Sequence, residues 1–180
     1  MLEKYWSVFM DIKYTEYYYR QYKNRATRRA TFIKGFLAIC SAASIGSWAI
    51  WNELQIVWMI ILAVSQILNA IQFLFPYQTQ ISTMNFFIPE LCSLLNRIEH
   101  DWDKVRGHTA TALNDDQISL LILEYDNEFY TLENKYIGNT YMPYSNSCKK
   151  KAIKYRDDFC KARYPNNNGK DVLNVPDIKV

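Results

Sequence analysis

The sequence predicts an all-α integral membrane protein, because it contains two uncharged apolar runs separated by very few residues. The runs are residues 35–51 (GFLAICSAASIGSWAIW) and 54–75 (LQIVWMIILAVSQILNAIQFLF), with Glu53 as the only charge between them. About 20 apolar helical residues cross a bilayer core ~30 Å thick. The second run has that length, and the first reaches it with residues 31–34, since the Lys34 amine can extend to the headgroups. We therefore expect a two-helix transmembrane hairpin, with a soluble buried helix pair as the alternative.

Residues 1–34 are predicted to form an N-terminal amphipathic helix, since no Gly or Pro interrupts residues 1–30. Apolar residues recur there at helical spacing, and a tyrosine-rich stretch and a basic segment follow. The helix could lie on anionic lipid at the membrane interface, or it could pack on helices further along the chain. Packing is favoured, because Glu3, Asp11 and Glu16 weaken a purely basic face.

The charge distribution predicts that both termini are cytoplasmic. Residues 1–34 carry eight Lys or Arg against three acidic residues, whereas the turn at 51–54 carries no basic residue. Basic residues close to the ends of spans mark the cytoplasmic side of a membrane. The whole chain has a net charge of only +3, which does not favour a nucleic-acid partner.

Each apolar run has one face with a distinct composition. The first run places small residues at spacings of four, four and three, which predicts close helix packing in lipid: Ala38, Ala42, Gly46 and Ala49. The second run has uncharged polar residues in its later half: Ser65, Gln66, Asn69 and Gln72. Polar groups in hydrocarbon must be paired or hydrated. They predict either hydrogen bonds between helices or the lining of a pore built from several copies.

Residues 76–164 are predicted to be a cytosolic helical region. After a polar linker at 77–83, apolar residues alternate spacings of four and three, which indicates a coiled-coil seam between copies: Met84, Ile88, Leu91, Leu95, Ile98, Trp102 and Val105. Pro89 suits either the first turn of a helix over 89–106 or a kink in a longer one.

A second cytosolic helix should begin after the cap Asn114 and end near Ile137, with Gly138 as its stop. The two helices would form an antiparallel hairpin. A short basic helix is predicted over 147–164, with a face that is solvated or touches headgroups or a partner, and residues 165–180 are predicted to be a disordered tail.

No catalytic, cofactor-binding or metal-binding set is predicted, so the chain is not expected to be an enzyme. His100, Asp101 and Asp103 are close in sequence, but neighbouring positions on a helix point in different directions. Asp115 and Asp116 are explained by a helix N-terminus. Cys40 is expected inside the first span, and the other three cysteines are expected to stay reduced on the cytosolic side.

The basic approach at 25–34, the turn at 51–54 and the heptad pattern at 84–105 together resemble the SLATT-type two-transmembrane effectors of bacterial antiviral systems. Similar two-span proteins accompany some retrons. The resemblance is one of topology, covers roughly residues 1–137 and transfers no binding residue. It implies a homo-oligomer in the bacterial inner membrane that permeabilises the lipid bilayer when a sensor or nucleotide-synthase partner activates it. The alternatives are a membrane-anchored coiled-coil scaffold and an accessory subunit of a membrane complex.

Overall fold

The computed structural model describes residues 1–50, 55–71, 77–106 and 113–164, and the side chains in these ranges except those of 42–50, 55 and 71. The regular structure within these ranges is entirely helical, as the apolar periodicity predicts. It consists of five α-helices: α1 (Leu2–Ile50), α2 (Gln55–Ile71), α3 (Tyr77–Val105), α4 (Asp115–Tyr136) and α5 (Asn146–Arg163).

The prediction of a transmembrane hairpin is wrong for this structure. The predictions of an integral-membrane fold and of an inner-membrane location depend on that hairpin and are wrong for the same reason. Across the four described ranges, no helix combines the length and apolar character needed to cross a bilayer. Helix α2 has 17 residues, which span about 25 Å, whereas a bilayer core measures about 30 Å. The prediction also counted residues 54 and 72–75, which lie outside the described ranges. A pore or toxin function that needs this hairpin loses its structural basis.

The first apolar run is the end of a much longer helix. Helix α1 is continuous over 49 residues, and the basic and acidic side chains of residues 3–34 belong to the same helix. The run itself contributes only 16 residues to it, from Gly35 to Ile50. Those residues cover about 24 Å, so this segment is also short for a span.

The chain divides into two compact units. Unit 1 comprises Met1–Lys23 and Ser82–Val180, and unit 2 comprises Asn24–Ile81. Unit 1 therefore contains the start of α1, most of α3, and all of α4 and α5. Unit 2 contains the remainder of α1, all of α2 and the first residues of α3.

The helices of unit 1 run alternately in opposite directions. Near one end of α1 the Tyr5 hydroxyl donates to the Ile98 carbonyl oxygen at 2.9 Å, and further along the Tyr19 ring lies 5.3 Å from that of Phe87. Residue numbers that increase along α1 thus meet residue numbers that decrease along α3, so the two helices are antiparallel.

The same relation holds between α3 and α4 and between α1 and α5. In the first pair Asp101 contacts Tyr125 and Glu90 contacts Tyr136. In the second pair two contacts show the direction, Met10 with Cys160 and Tyr18 with Ser145. Unit 1 is accordingly an up–down–up–down arrangement of four helices, and unit 2 is inserted in the chain between its first and second helix.

One apolar core holds unit 1 together. Its buried members include Phe9, Leu91 and Leu94, each with no measurable exposure. Aromatic rings from three helices meet in it: Tyr5 stacks on Trp102 at 5.8 Å and meets Tyr125 edge-on at 6.3 Å. Such pairs stabilise beyond their burial by about 0.5–1.5 kcal/mol each. The N-terminal part of α1 therefore packs on α3, α4 and α5. The acidic residues of this segment had favoured such packing over binding to lipid.

The helix boundaries confirm some local predictions and correct others. Asn114 caps α4: its side chain accepts from the Gln117 backbone N–H at 2.8 Å, and the Gln117 side chain accepts from the Asn114 N–H at 3.0 Å. The predicted linker at 77–83 is helical, because α3 starts at Tyr77 and continues through Pro89. The predicted tail at 165–180 lies outside the described residues.

Candidate interaction surface

Helix α2 presents an exposed apolar stripe along its length. Three of its isoleucines are more than half exposed: Ile56 at 74%, Ile60 at 59% and Ile67 at 60%. With the exposed Ala63 and Ala70 they follow the spacing four, three, four, three. We call the five residues Ile56, Ile60, Ala63, Ile67 and Ala70 the α2 seam. This spacing is that of a and d positions in a coiled coil, where each side chain fits between side chains of a facing helix.

The opposite side of α2 is the packed one. Ser65 is buried, and the partly buried side chains lie on the same arc of the helix: Trp58, Ile61, Leu62 and Leu68. The Ser65 hydroxyl donates to the Leu62 carbonyl oxygen of its own helix at 2.8 Å. The packing inside unit 2 therefore leaves the α2 seam uncovered.

The exposed stripe is large and carries no charge. Met59, Val57 and Val64 flank the seam and are also 43% or more exposed, and the segment Gln55–Ile71 contains no Asp, Glu, Lys or Arg. At these exposures the large side chains present roughly 500 Å² of apolar surface. The largest apolar patch on a typical monomer is about 300–600 Å², and patches of that size often bind a partner.

The predicted polar face of the second run is split by the structure. Ser65 faces the packed side, whereas Gln66 and Asn69 are exposed, and Gln72 lies outside the described residues. The observed Ser65 bond goes to its own helix, not to a neighbouring one. Interhelical hydrogen bonds thus stay a prediction for Gln66 and Asn69. The pore lining loses its basis, because the spanning helix that a pore requires is missing from the described ranges.

The predicted small-residue face of the first run is described only at its start. Ala38 is exposed, and its near neighbour Cys40 is buried. The side chains of Ala42, Gly46 and Ala49 lie outside the described set, although all three belong to helix α1.

The heptad seam of α3 lies inside the core of unit 1. We call it the α3 seam, and all seven of its residues are at most 8% exposed: Met84, Ile88, Leu91, Leu95, Ile98, Trp102 and Val105. They pack against α1 and α4 of the same chain. The α3 seam is therefore used within the folded chain, and in this conformation it offers no surface to a second copy.

Asp101 is the centre of a polar cluster between α3 and α4. Its carboxylate accepts from the Tyr125 hydroxyl and the Lys104 amine, each at 2.6 Å, and lies 3.3 Å from His100 Nδ1. Partial burial alone would raise the pKa of Asp101, but the hydrogen bonds from Lys104, Tyr125 and His100 outweigh it and lower the pKa. Burial and the Asp101 carboxylate together raise the pKa of Tyr125. The cluster joins two helices and stabilises their register.

A second charged cluster surrounds a buried carboxylate on α1. Glu16 is 1% exposed and forms ion pairs with Arg20 and, at 3.8 Å, with Lys13. The Cys92 sulfur lies 4.0 Å from Glu16 and 3.6 Å from an Arg20 nitrogen. A buried carboxylate requires such partners, so these contacts satisfy a charge inside the bundle.

The cysteines and acidic residues form no disulfide and no metal site among the described residues. The cysteines Cys40, Cys92, Cys148 and Cys160 are free thiols. No group of three or more His, Cys, Asp or Glu among the described residues is arranged to hold a metal ion. An open cavity of about 350 Å³ lies in unit 2, and its lining residues are Arg28, Arg29, Phe32, Ile33 and Tyr77.

Sequence reasoning missed the α2 seam although its spacing is visible in the sequence. In a run that is apolar on every side, the four–three pattern of the α2 seam does not stand out from its neighbours. Only the packing of the opposite arc shows that this stripe is free.

Comparison with known proteins adds no assignment. No protein-family model, curated protein or solved structure matches this chain.

Proposed function

We propose that this chain is a non-enzymatic helical assembly protein whose copies associate through the α2 seam. The observation that carries the proposal is an exposed four–three stripe of isoleucines and alanines on a helix whose other side is packed. This function is close to the coiled-coil scaffold that the sequence offered as an alternative, without its membrane-spanning anchor. The permeabilising effector implied by the SLATT resemblance is not carried forward, because it depends on the spanning hairpin.

The area of the stripe supports a second copy as its partner. Two facing stripes would remove about 1,000 Å² from water, which is the lower bound for a specific interface between proteins. Two of the five positions in the α2 seam are alanine, Ala63 and Ala70. Small residues at these positions let two helix backbones approach closely, while the isoleucines fill the spaces between them.

The composition of α2 argues against a helix lying on lipid. Helices that bind in the plane of a membrane carry Lys and Arg on the face opposite the apolar one. Helix α2 has no charged residue, and its opposite face is occupied by packing within unit 2. We therefore make lipid binding an alternative outcome of the test.

The test measures the mass of the purified full chain by sedimentation velocity over a range of concentrations. The variant Ile60→Asp with Ile67→Asp places two charges in the α2 seam, and each would be buried without a partner in the assembled state. Burial of an unpaired charge costs several kcal/mol, so the dissociation constant should rise by at least about 100-fold. Circular dichroism at 222 nm should stay unchanged, because both side chains are exposed in the single chain.

The matched control is Gln66→Asp with Asn69→Asp, which adds the same charge at exposed positions outside the α2 seam. We expect this control to assemble like the wild type. Equal masses for the seam variant and the wild type would overturn the proposal. So would a monomeric wild type that binds vesicles of phosphatidylcholine and phosphatidylglycerol through α2.

A further inference from the structure

Two neighbouring helices of unit 1 carry opposite and equal charge. Helix α4 has six acidic residues and one basic residue, a net charge of −5. Helix α5 has seven basic residues and two acidic ones, a net charge of +5. The chain as a whole is close to neutral at +3. The excess of charge is thus local to each helix, and the two helices carry opposite charge.

Part of this charge is used inside unit 1. Glu128 of α4 pairs with Arg97, and Arg163 of α5 pairs with Glu99 at 3.2 Å. Lys135 of α4 also pairs with Glu90, and the buried Arg156 of α5 pairs with Asp157. Four further residues on each helix are exposed and make no ion pair within the described ranges. On α4 these are Asp115, Asp116, Glu124 and Asp126, and on α5 they are Lys150, Lys151, Lys154 and Lys161.

The outer face of α4 is an apolar strip with acidic edges. Leu120, Leu123 and Tyr130 are 66%, 58% and 66% exposed and lie along the middle of that face. Glu124 lies on one side of the strip and Asp126 on the other, both exposed. Exposed large apolar side chains flanked by charges are the ordinary composition of a protein–protein contact.

The outer face of α5 carries the opposite charge, in a stripe of exposed lysines. Lys150, Lys154 and Lys161 follow one stripe along the helix, and all three are exposed. A lysine has a flexible apolar stem and a compact charged end, so it can cover apolar surface while its amine reaches an anion at the edge. Three such stems would cover the apolar strip of α4 if their amines reached the carboxylates on either side.

We propose that the α4 face of one chain binds the α5 face of a second copy of this chain. The contact adds to the self-association proposed above, but it rests on residues of unit 1 and not on the α2 seam. Complementary faces on one molecule form either a two-fold dimer with two α4–α5 contacts or a repeating head-to-tail array. In both arrangements each acidic face meets a basic one, and salt weakens the contact.

The test is a charge exchange between two full-length variants. The α5 variant reverses two basic residues, Lys150→Glu with Lys154→Glu. The α4 variant reverses two acidic residues, Glu124→Lys with Asp126→Lys. Both also carry Ile60→Asp with Ile67→Asp, so the α2 seam contributes nothing to the measured association. A failed exchange would therefore leave the α2 proposal intact, and a failed α2 test would leave this one intact.

Each variant alone should associate about tenfold more weakly than the parent, because two attractive pairs become repulsive. An equimolar mixture should recover association by sedimentation velocity, and 0.5 M salt should remove the recovery. A chain with both reversals is complementary to itself and should associate like the parent. Circular dichroism should show that all four proteins fold, because the substituted side chains are exposed.

Cross-linking provides the second measurement. A carbodiimide joins carboxylates directly to lysine amines, and mixing ¹⁵N-labelled with unlabelled parent chains identifies links between copies. We expect links between α4 and α5 of different chains. Mixtures that sediment like their separate components, or links between copies that avoid α4 and α5, would overturn the proposal.

Discussion

Truncation of Leu91 tests whether the α3 seam is a folding core or an interface between copies. Leu91 has no exposed surface and lies in the core of unit 1. The change Leu91→Ala removes three carbons, which corresponds to about 2.4 kcal/mol of transfer free energy. The cavity left behind adds to this cost, so we expect a loss of about 3 kcal/mol in the free energy of unfolding.

The assay is urea unfolding followed by circular dichroism at 222 nm. With a slope of about 2 kcal/mol per molar urea, the midpoint should fall by about 1.5 M. The control is Phe86→Ala on the same helix, because Phe86 is 63% exposed. It removes more atoms than the leucine change, yet we expect it to cost less than about 1 kcal/mol, since most of the ring is already in water.

The two roles of the α3 seam predict different failures. If the seam is a folding core, Leu91→Ala lowers the urea midpoint and leaves the mass of the assembly unchanged below the transition. If the midpoint stays at the wild-type value while the mass falls, Leu91 is buried between copies and our interpretation is refuted.

Two further predictions concern acid stability and helix ends. The hydrogen-bonded Asp101 has a pKa below the ordinary value of 3.8, so its contribution to stability is present above that pH and is lost as the pH falls through the lowered pKa. Asp101→Asn should therefore reduce the dependence of the urea midpoint on pH below about 4, and exposed Asp103→Asn is its control; identical profiles for the two variants would contradict the role of the cluster. A Cβ at Gly138 would lie 2.9 Å from the Asn134 carbonyl oxygen, so Gly138→Ala should lower thermal stability. A Cβ at Gly35 on α1 meets nothing within 4 Å, and Gly35→Ala should raise stability by up to about 1 kcal/mol; equal shifts for both would show that neither glycine is limited by its surroundings.

Local features of this chain were determined by the sequence near each residue. The Asn114 cap was predictable because capping depends on a side chain and the backbone three residues later. The packing of the N-terminal helix was favoured by Glu16 and its acidic neighbours. Glu16 is in fact buried and pairs with the exposed Arg20.

The length of the apolar helices could not be predicted in the same way. A count of apolar residues gives the greatest length of an apolar helix but does not locate its ends. Helix α2 begins at Gln55 and ends at Ile71. The first run joined the polar helix before it, because nothing at Lys34 or Gly35 interrupts the helical backbone. The transmembrane hairpin was wrong for this reason.

The roles of the two seams were decided by tertiary structure alone. The α2 and α3 seams have the same four–three spacing, and the sequence indicated the α3 seam as the contact between copies. Spacing determines which side chains share a face of a helix, whereas burial depends on what other elements lie against that face. Helices α1 and α4 cover the α3 seam, while the α2 seam stays exposed because unit 2 packs against the opposite arc.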